Sequence, residues 1–282
     1  MKILTFDIEE WFHILDNPST KYEKQWDNYE IRIYKNIDKI FKLLHDNNLK
    51  ATFFIVGWIA KKYPDIVKKI NSFGYEIGSH SNLHQLMYEQ SYKEVDRDIK
   101  DSINILEDIT GKKVSSFRAP GFSIIEKNKW VFEILIKNGI THDCSVFPAG
   151  RAHGGLPSYK TALPSLINYN GLFIKEFPIN TMNFLHTKII FSGGGYFRIL
   201  PYYLIKNWTQ NSKYLMTYFH PRDFDPDQPM ISNLSLHRKF KSYVGLRGSL
   251  IKLEKWLNDF SFIDLKTADS KIDWDSVPVI KL

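Results

Sequence analysis

The sequence predicts an α/β fold built on a mostly parallel sheet, either closed into a barrel or left open. Short β-prone segments alternate with amphipathic segments at helical spacing along the chain, as in a series of β-α units. The 282 residues include 43% hydrophobic and 24% charged residues, so the composition is that of a globular protein with a full core. We find no linker, internal repeat or low-complexity segment, and we therefore expect a single domain over residues 1–282.

Eight segments are expected to be strands, because each is a short run rich in apolar, aromatic and β-branched residues. They are Lys2 to Phe6, Ala51 to Val56, Tyr75 to Ser79, Ser115 to Arg118, Thr141 to Val146, Phe173 to Phe177, Leu215 to Phe219 and Phe262 to Leu265. Two long segments, residues 148–164 and 223–248, are expected to be loops that cover one end of the sheet.

Amphipathic helices are expected between these strands. Apolar residues recur at helical spacing from Ile33 to Leu44 and again from Val95 to Leu106. The second segment begins with a capping box, in which Ser91 is followed three residues later by Glu94. Gly111 and Gly139 each follow a periodic segment, at the place where a left-handed residue ends a helix.

Composition also excludes several classes of protein. The 38 Lys and Arg residues exceed the 31 Asp and Glu residues by a formal charge of +7, but the excess is diffuse, so we expect no nucleic-acid binding. The single cysteine, Cys144, cannot form an intramolecular disulfide.

No window of about 18 apolar residues is present, so no transmembrane segment is expected. The N-terminus lacks a signal-peptide pattern, and we expect a cytoplasmic protein. The oligomeric state is not readable from the sequence.

Polar residues that are unusual beside an apolar sheet occur at the ends of the predicted strands. In parallel α/β folds the carboxyl ends of the strands meet at one edge, where active sites are built. The residues in question are Asp7 and Glu9 after the first strand, His80 and His84 after the third, Arg118 at the end of the fourth, Asp143 in or near the end of the fifth, and His220 after the seventh. We therefore expect these side chains to form one site.

The sequence His80-Ser81-Asn82-Leu83-His84 is the strongest indication of a metal site. On one helical turn the two imidazoles lie on the same face, within reach of one cation. A carboxylate from Asp7 or Glu9 would complete a three-ligand site with open positions, and the other carboxylate would be free to accept a proton. The alternatives are a pair of surface histidines and a solvated acidic turn.

Two further residues have a functional and a structural interpretation. Arg118 either pairs with a surface acid or holds an active-site carboxylate in position and charged. His220 ends the very apolar segment Leu215 to Phe219, and is either a hydrogen-bonded core residue or a general acid. The remaining histidines have no comparable context and are expected to be structural or surface residues: His13, His45, His142, His153, His186 and His237.

Taken in order, these motifs resemble the polysaccharide deacetylase superfamily, the carbohydrate esterase family 4-like group with the NodB homology domain. The resemblance covers residues 1 to about 270 and rests on Thr5 to Asp7, His80 to His84, Arg118 to Pro120 and His220. Three other stretches resemble a subgroup associated with bacterial exopolysaccharide and surface-glycan biosynthesis: Glu9 to His13, Gly193 to Arg198 and Tyr218 to Asp223.

The resemblance implies a distorted (β/α) barrel of seven to eight mostly parallel strands. It also implies a hydrolase that removes an acetyl group from an N-acetylated amino sugar with a divalent metal, most commonly Zn²⁺. The saccharide would be a polymer, lipid-linked or nucleotide-linked. The implied roles are general base for Asp7, metal ligands for His80 and His84, orientation of the base for Arg118, general acid for His220, and tuning of His220 for Asp143.

The first motif departs from the family pattern. Most members have two adjacent aspartates, whereas here Asp7 is followed by Ile8 and then by Glu9. We expect Glu9 to be the third metal ligand, with Glu10 as the competing residue. This departure concerns the metal set and leaves the expected general base unchanged.

Three other functions use parts of the same pattern. Two histidines and one carboxylate also form the facial triad of non-haem iron oxygenases, although those sites are usual in jelly rolls. A metal-independent amidohydrolase of the same superfamily is the nearer alternative. A catalytically inactive glycan-binding barrel would lack a ligand or the base, whereas Asp7, Glu9, His80, His84 and His220 are all present.

Overall fold

The computed structural model describes residues 1–15, 17–150, 153–184, 187–231 and 234–282. Its strands are β1 (Lys2–Ile3), β2 (Thr5–Ile8), β3 (Thr52–Ile55), β4 (Glu76–Ser79), β5 (Ser116–Phe117), β6 (His142–Asp143), β7 (Ser165–Tyr169), β8 (Leu172–Glu176), β9 (Met182–Phe184), β10 (Thr187–Ile189), β11 (Leu215–Met216) and β12 (Val279–Lys281). Its helices are α1 (Ile33–Asp46), α2 (Gly57–Lys62), α3 (Pro64–Ser72), α4 (Tyr92–Thr110), α5 (Val131–Lys137), α6 (Gly194–Ile199), α7 (Tyr202–Asn211), α8 (Leu236–Tyr243), α9 (Leu246–Asp259) and α10 (Leu265–Asp269).

The main sheet has the order β12-β7-β8-β6-β5-β4-β3-β2. Its neighbouring strands are parallel except for the antiparallel pair β7 and β8. Beyond β2, a parallel bridge joins Phe6 to Phe219, and β1 pairs in parallel with β11. The predicted fold class is therefore confirmed: the sheet is mostly parallel and consistent with a distorted barrel.

The predicted helices around this sheet are present. The capping box that opens α4 is formed, with the Ser91 side chain accepting from the backbone of Glu94. Gly111 ends α4 in the left-handed conformation, with φ of 66°. Gly139, with φ of 83°, follows α5 in the same way. In the described ranges, none of the helices combines the length and apolar character that a membrane span needs.

Seven of the eight expected strand segments contain a strand, and the eighth is wrong. Residues Phe262 to Leu265 supply only an isolated bridge at Ile263, and α10 begins at Leu265. The reason is local, because the Asp264 side chain accepts a hydrogen bond from the backbone N–H of Thr267 at 2.9 Å and so caps the helix.

Other features of the fold were not expected from the sequence, including strands β9, β10 and β12. Strands β7 and β8 form a hairpin around Asn170 and Gly171, which have φ of 51° and 85°, as a two-residue hairpin turn requires. The expected loop 223–248 contains α8, which Ser235 caps by accepting from the N–H of Arg238 at 3.3 Å. The expected loop 148–164 forms no helix or strand among its described residues.

A close backbone contact fixes the segment that leads to His220. Gly193 forms a parallel bridge with Tyr218. A Cβ atom at Gly193 would lie 2.0 Å from the Tyr218 carbonyl oxygen, so only glycine allows this approach. On the other side, the N–H of Asp7 donates to the carbonyl of Phe219 at 2.7 Å. The residue after Phe219 is thereby placed beside the end of β2.

Candidate active site

All predicted site residues except Asp143 converge at one end of the sheet, where they line a cleft of about 490 Å³. The strand ends supply them: β2 carries Asp7 and is followed by Glu9, β4 is followed by His80, β5 by Arg118, and the segment after β11 by His220. All of these, together with His84, are on the cleft wall. The strand ends therefore bring these side chains to one cleft, as the topology of a parallel sheet predicts.

Glu9, His80 and His84 form a cluster that could hold a metal ion. One potential ligand atom of each residue lies within 4.8 Å of the other two, and no other such group of three is found among the described residues. The side chains are buried, with 5%, 2% and 8% of the residue exposed. Two histidines and one carboxylate with room for further ligands are the donor set of many catalytic zinc sites.

The contacts inside this cluster fit a cation better than a hydrogen bond. Glu9 Oε2 lies 2.6 Å from His84 Nε2, but it is buried and makes no hydrogen bond of acceptable geometry. Burial alone would raise the pKa of Glu9, yet the charges of His84 and His220 hold it below its usual value. A charged carboxylate oxygen directed at an imidazole nitrogen, without a hydrogen bond between them, is the arrangement expected of two ligands to one ion.

His80 is oriented by a backbone carbonyl. Its Nδ1 lies 2.7 Å from the carbonyl oxygen of Arg118, an acceptor that selects the tautomer protonated at Nδ1. The Nε2 lone pair is then available to the cluster. Burial lowers the pKa of His80 to about 4 despite the nearby negative charge of Asp7, so the imidazole is neutral at neutral pH. Neutral imidazole is the form that binds a metal.

The segment from His80 to His84 is not the helical turn expected from the sequence. Ser81 and His84 both have positive φ, 64° and 49°, and no helix is formed over these residues. The N–H of His84 donates to Ser81 Oγ at 3.0 Å, which closes a compact loop. The two rings nevertheless converge, with centroids 5.1 Å apart, so the predicted pairing of the imidazoles is correct although the predicted backbone is wrong.

Asp98 on α4 holds this loop in place. Its carboxylate accepts hydrogen bonds from the N–H groups of Asn82 at 2.8 Å and Leu83 at 2.9 Å. Asp98 is buried, and burial raises its pKa to about 6. One signal of this role is that Asp98 is an acid on the buried face of α4, between Val95 and Ser102. We did not predict it.

Glu9 and Glu10 have different environments. Glu10 Oε1 accepts from the N–H groups of Arg32 at 2.9 Å and Ile33 at 2.8 Å, so Glu10 caps the start of α1. Burial raises the pKa of Glu10 to about 7. Glu9, in contrast, belongs to the cluster with the two histidines. Of the two acids weighed as the third ligand, the geometry therefore favours Glu9.

Asp7 and Arg118 form a buried ion pair beside the cluster. Arg118 Nη1 donates to Asp7 Oδ1 at 2.7 Å and to Thr5 Oγ1 at 2.8 Å. Arg118 is 1% exposed, and its guanidinium also lies over the ring of Phe54, with 4.4 Å to the centroid. These contacts fix the guanidinium, which in turn fixes one oxygen of Asp7. The other oxygen, Oδ2, is directed toward His220.

His220 lies across the site from the histidine pair. Its Nε2 is 3.8 Å from Asp7 Oδ2 and 3.9 Å from Glu9 Oε1. Its Nδ1 is 3.1 Å from Asp223 Oδ2. Burial alone would lower the pKa of His220, but the negative charges of Glu9, Asp223 and Asp7 outweigh burial and raise it to about 9. A protonated imidazole at neutral pH is suited to donate a proton.

The expectation that Asp143 tunes His220 is wrong. Asp143 Oδ1 accepts from Ser145 Oγ at 2.6 Å, and Asp143 also interacts with Glu176, both carboxyl groups being fully buried. Among the described residues, the carboxylates within 4.0 Å of His220 belong to Asp7, Glu9 and Asp223. The tuning acid is therefore Asp223, three residues after His220 in the 3₁₀ helix Pro221–Phe224.

The histidines for which no functional role was predicted have different environments in the structure. His13 is buried, with its ring centroid 5.6 Å from that of His84 and 4.2 Å from that of Trp26, so it packs against the back of the histidine cluster. His45 is exposed, and His142 pairs with Asp269 at 3.2 Å. His153 and His237 line the outer cleft. His186 lies outside the described residues.

Comparison with known proteins gives two family matches. Residues 25–141 match the polysaccharide deacetylase family, and residues 144–269 match a domain of unknown function, DUF3473. The histidine pair and Arg118 fall in the first region and His220 in the second, whereas Asp7 and Glu9 precede both.

Curated relatives match over part of their length. The chain is 35% identical over 96 residues to a peptidoglycan-N-acetylglucosamine deacetylase from Bacillus cereus, which is 34% of this chain and 35% of that protein. It is 34% identical over 82 residues to a chitooligosaccharide deacetylase from Azorhizobium caulinodans, which is 29% of this chain and 39% of that protein. The chain thus matches well under half the length of these curated relatives.

The fold of the whole chain resembles that of a solved structure. A crystal structure described as a polysaccharide deacetylase from Mycobacterium smegmatis aligns with 99% of this chain and 92% of that chain, at a TM-score of 0.67 and 15% identity. At this identity the likeness concerns the fold, and it agrees with the sheet described above.

Proposed function

We propose, since residues 25–141 match the polysaccharide deacetylase family, that this chain is a metal-dependent hydrolase that removes the acetyl group from an N-acetylated amino sugar. The observation that carries the proposal is the joint presence, on one cleft, of the Glu9-His80-His84 cluster and the Asp7-Arg118 ion pair. The first could hold a cation and the second supplies a carboxylate beside it.

Glu9, His80 and His84 would hold a divalent cation, and Zn²⁺ suits their donor set of one oxygen and two nitrogens. When bound, such a cation polarises an acyl carbonyl and lowers the pKa of a coordinated water toward neutrality. The tautomer of His80 and the unpartnered Oε2 of Glu9 support this assignment.

Asp7 would act as the general base. Arg118 occupies Oδ1, so Oδ2 is the oxygen available to accept the proton of the attacking water. Because Arg118 is held by Thr5, by the ring of Phe54 and by the Cys144 carbonyl at 3.3 Å, the carboxylate cannot rotate freely. A fixed base loses little entropy when the substrate arrives.

His220 would act as the general acid. Its Nε2 faces the cleft beside Asp7 and Glu9, while Nδ1 is held by Asp223. A proton on Nε2 would pass to the amine nitrogen as the carbon–nitrogen bond breaks, giving acetate and a free amino sugar. Arg198 in turn lies 3.4 Å from Asp223, so the orienting acid is itself paired.

The matched relatives act on peptidoglycan N-acetylglucosamine and on chitooligosaccharides, according to their names. These names support an N-acetylated saccharide as the substrate class for this chain. The proposed participation in surface-glycan biosynthesis rests on the sequence resemblance alone.

The proposal is tested by acetate release from N-acetylchitooligosaccharides and from peptidoglycan fragments. We expect purified protein to release acetate, to lose the activity on dialysis against a chelator, and to regain it on addition of Zn²⁺. Activity that resists the chelator would instead favour a metal-independent amidohydrolase. Saccharide binding without acetate release would favour a glycan-binding barrel.

A further inference from the structure

The outer part of the active-site cleft is strongly basic. Beyond Arg118, the described residues that line it include Lys188, Arg198, Arg222, Arg238 and Lys241. The acidic residues among the described lining residues are Asp7, Glu9 and Asp223, which all belong to the catalytic centre. Cations therefore outnumber acids among the described residues of the cleft wall.

The three acids are engaged at the centre, and Asp223 also pairs with one of the cations, Arg198, at 3.4 Å. Asp7 pairs with Arg118 at 2.7 Å, and Asp223 holds His220 at 3.1 Å. Glu9 belongs to the cluster with the two histidines. Within the catalytic centre, the negative charges of these acids are therefore offset by the basic side chains that contact them.

Arg222 is placed to bind an anion. Its Nε donates to Gln228 Oε1 at 3.2 Å, and its guanidinium lies 5.8 Å from the centroid of the Tyr243 ring. These contacts hold the guanidinium, yet Nη2 is buried without a hydrogen-bond partner. Arg222 lines the cleft, and a guanidinium held in place matches the geometry of a phosphate or carboxylate oxygen.

One other cation reinforces this site. Lys188 is exposed on β10, and its Nζ lies 3.4 Å from the carbonyl oxygen of Pro148, a contact that does not neutralise the ammonium charge. Arg198, in contrast, is buried and paired with Asp223 at 3.4 Å, so it belongs to the catalytic centre. A cleft lined by charges of one sign concentrates ligands of the opposite sign.

We propose that the outer cleft binds an acidic group of the saccharide, so that the preferred substrate is an anionic N-acetylated saccharide. This inference rests on the deacetylase function proposed above. The acidic group is a phosphate ester, as in a sugar linked to a diphosphate carrier, or a carboxylate, as in a uronic acid; both present the oxygens that Arg222 and Lys188 recognise. A neutral saccharide would cover these cations without offering them a counter-charge.

The test compares acetate release from three substrates: neutral N-acetylchitotetraose, the diphosphate sugar UDP-N-acetylglucosamine, and a hyaluronan tetrasaccharide that contains carboxylates. We expect at least one anionic substrate to be preferred in kcat/KM by about tenfold or more at low salt, since two or three charge-assisted contacts of about fivefold each contribute. The preference should fall as salt is added. The anionic substrate with the higher kcat/KM identifies the acidic group as a phosphate or a carboxylate.

Lys188→Gln and Arg222→Gln should each reduce this preference about threefold to fivefold, mainly through KM. Lys93→Gln, on the exposed face of α4 and outside the cleft, is the matched control and should leave the preference unchanged. Equal kcat/KM for the neutral and anionic substrates, with no effect of either variant, would overturn the inference while leaving the deacetylase function intact.

Calorimetric titration of the wild-type protein with inorganic pyrophosphate and with glucuronate separates the two proposals. Binding of either anion that is weakened in Arg222→Gln supports the acidic-group site even if none of the saccharides releases acetate, in which case the proposed function fails alone. No binding of either anion would contradict the inference whatever the activity.

Discussion

Replacement of Asp7 by Asn is expected to lower kcat by about 10²–10⁴-fold, because the amide cannot accept the proton that the carboxylate accepts at Oδ2. The amide oxygen still accepts a hydrogen bond from Arg118, which now donates to Asp7 Oδ1 at 2.7 Å. The fold and the metal content should therefore be kept. Steady-state acetate release, elemental analysis and thermal unfolding of the purified variant together measure the effect.

The matched control is Asp38→Asn. Asp38 pairs with Lys69 on the surface and its side chain is 61% exposed, so its replacement should leave kcat unchanged. Turnover by Asp7→Asn within a few fold of wild type would rule out Asp7 as the base. Loss of bound metal together with activity would instead indicate that Asp7 is a ligand.

Replacement of His84 by Ala is expected to remove both the metal and the activity. His84 Nε2 lies 2.6 Å from Glu9 Oε2 and is one of three ligands in the cluster. Changes to residues that only support metal ligands cost about 10–100-fold in metal affinity, so loss of a ligand should cost at least about 100-fold. Competition for Zn²⁺ with a fluorescent chelator measures the affinity directly.

His45→Ala is the matched control for this variant, since the side chain of His45 is 88% exposed and lies far from the cluster in sequence. Because a ligand that binds only the folded state stabilises it, Zn²⁺ should raise the melting temperature of wild type and of His45→Ala but not of His84→Ala. An unchanged Zn²⁺ affinity in His84→Ala would exclude His84 from the metal site.

Local sequence patterns predicted most of the fold. Apolar periodicity and the Ser91-Glu94 capping box identified α1 and α4, because these signals act within one or two helical turns. The hairpin of β7 and β8 was missed although Asn170-Gly171 is a strong turn signal, since the flanking polar residues obscure the alternation of the strands. Helix α8 was missed although Leu236, Phe240 and Tyr243 recur in it at helical spacing, and none of its described residues is buried.

The candidate site was predictable where residues follow strand ends. Asp7, Glu9, His80, Arg118 and His220 each lie at or just beyond such an end, and topology brings them together. The partner of His220 was misassigned, since the strand-end rule also selects Asp143.

Side-chain contacts show which of two candidate acids occupies each position, a choice that topology alone does not make. Asp143 points to Ser145 and Glu176 inside the sheet, whereas Asp223 reaches back to His220 across one 3₁₀ turn. Likewise the choice between Glu9 and Glu10 depended on which side chain turns to cap α1. Spacing along the chain does not encode these rotamers.

Glu9, His80 and His84 are expected to bind one divalent cation beside Asp7, and anomalous diffraction from crystals grown with Zn²⁺ would locate that cation. We expect one strong peak, within about 2.0–2.3 Å of an oxygen of Glu9 and of a ring nitrogen of each histidine. A cleft without a peak, or a peak held by other residues, would show that these three residues do not form the metal site.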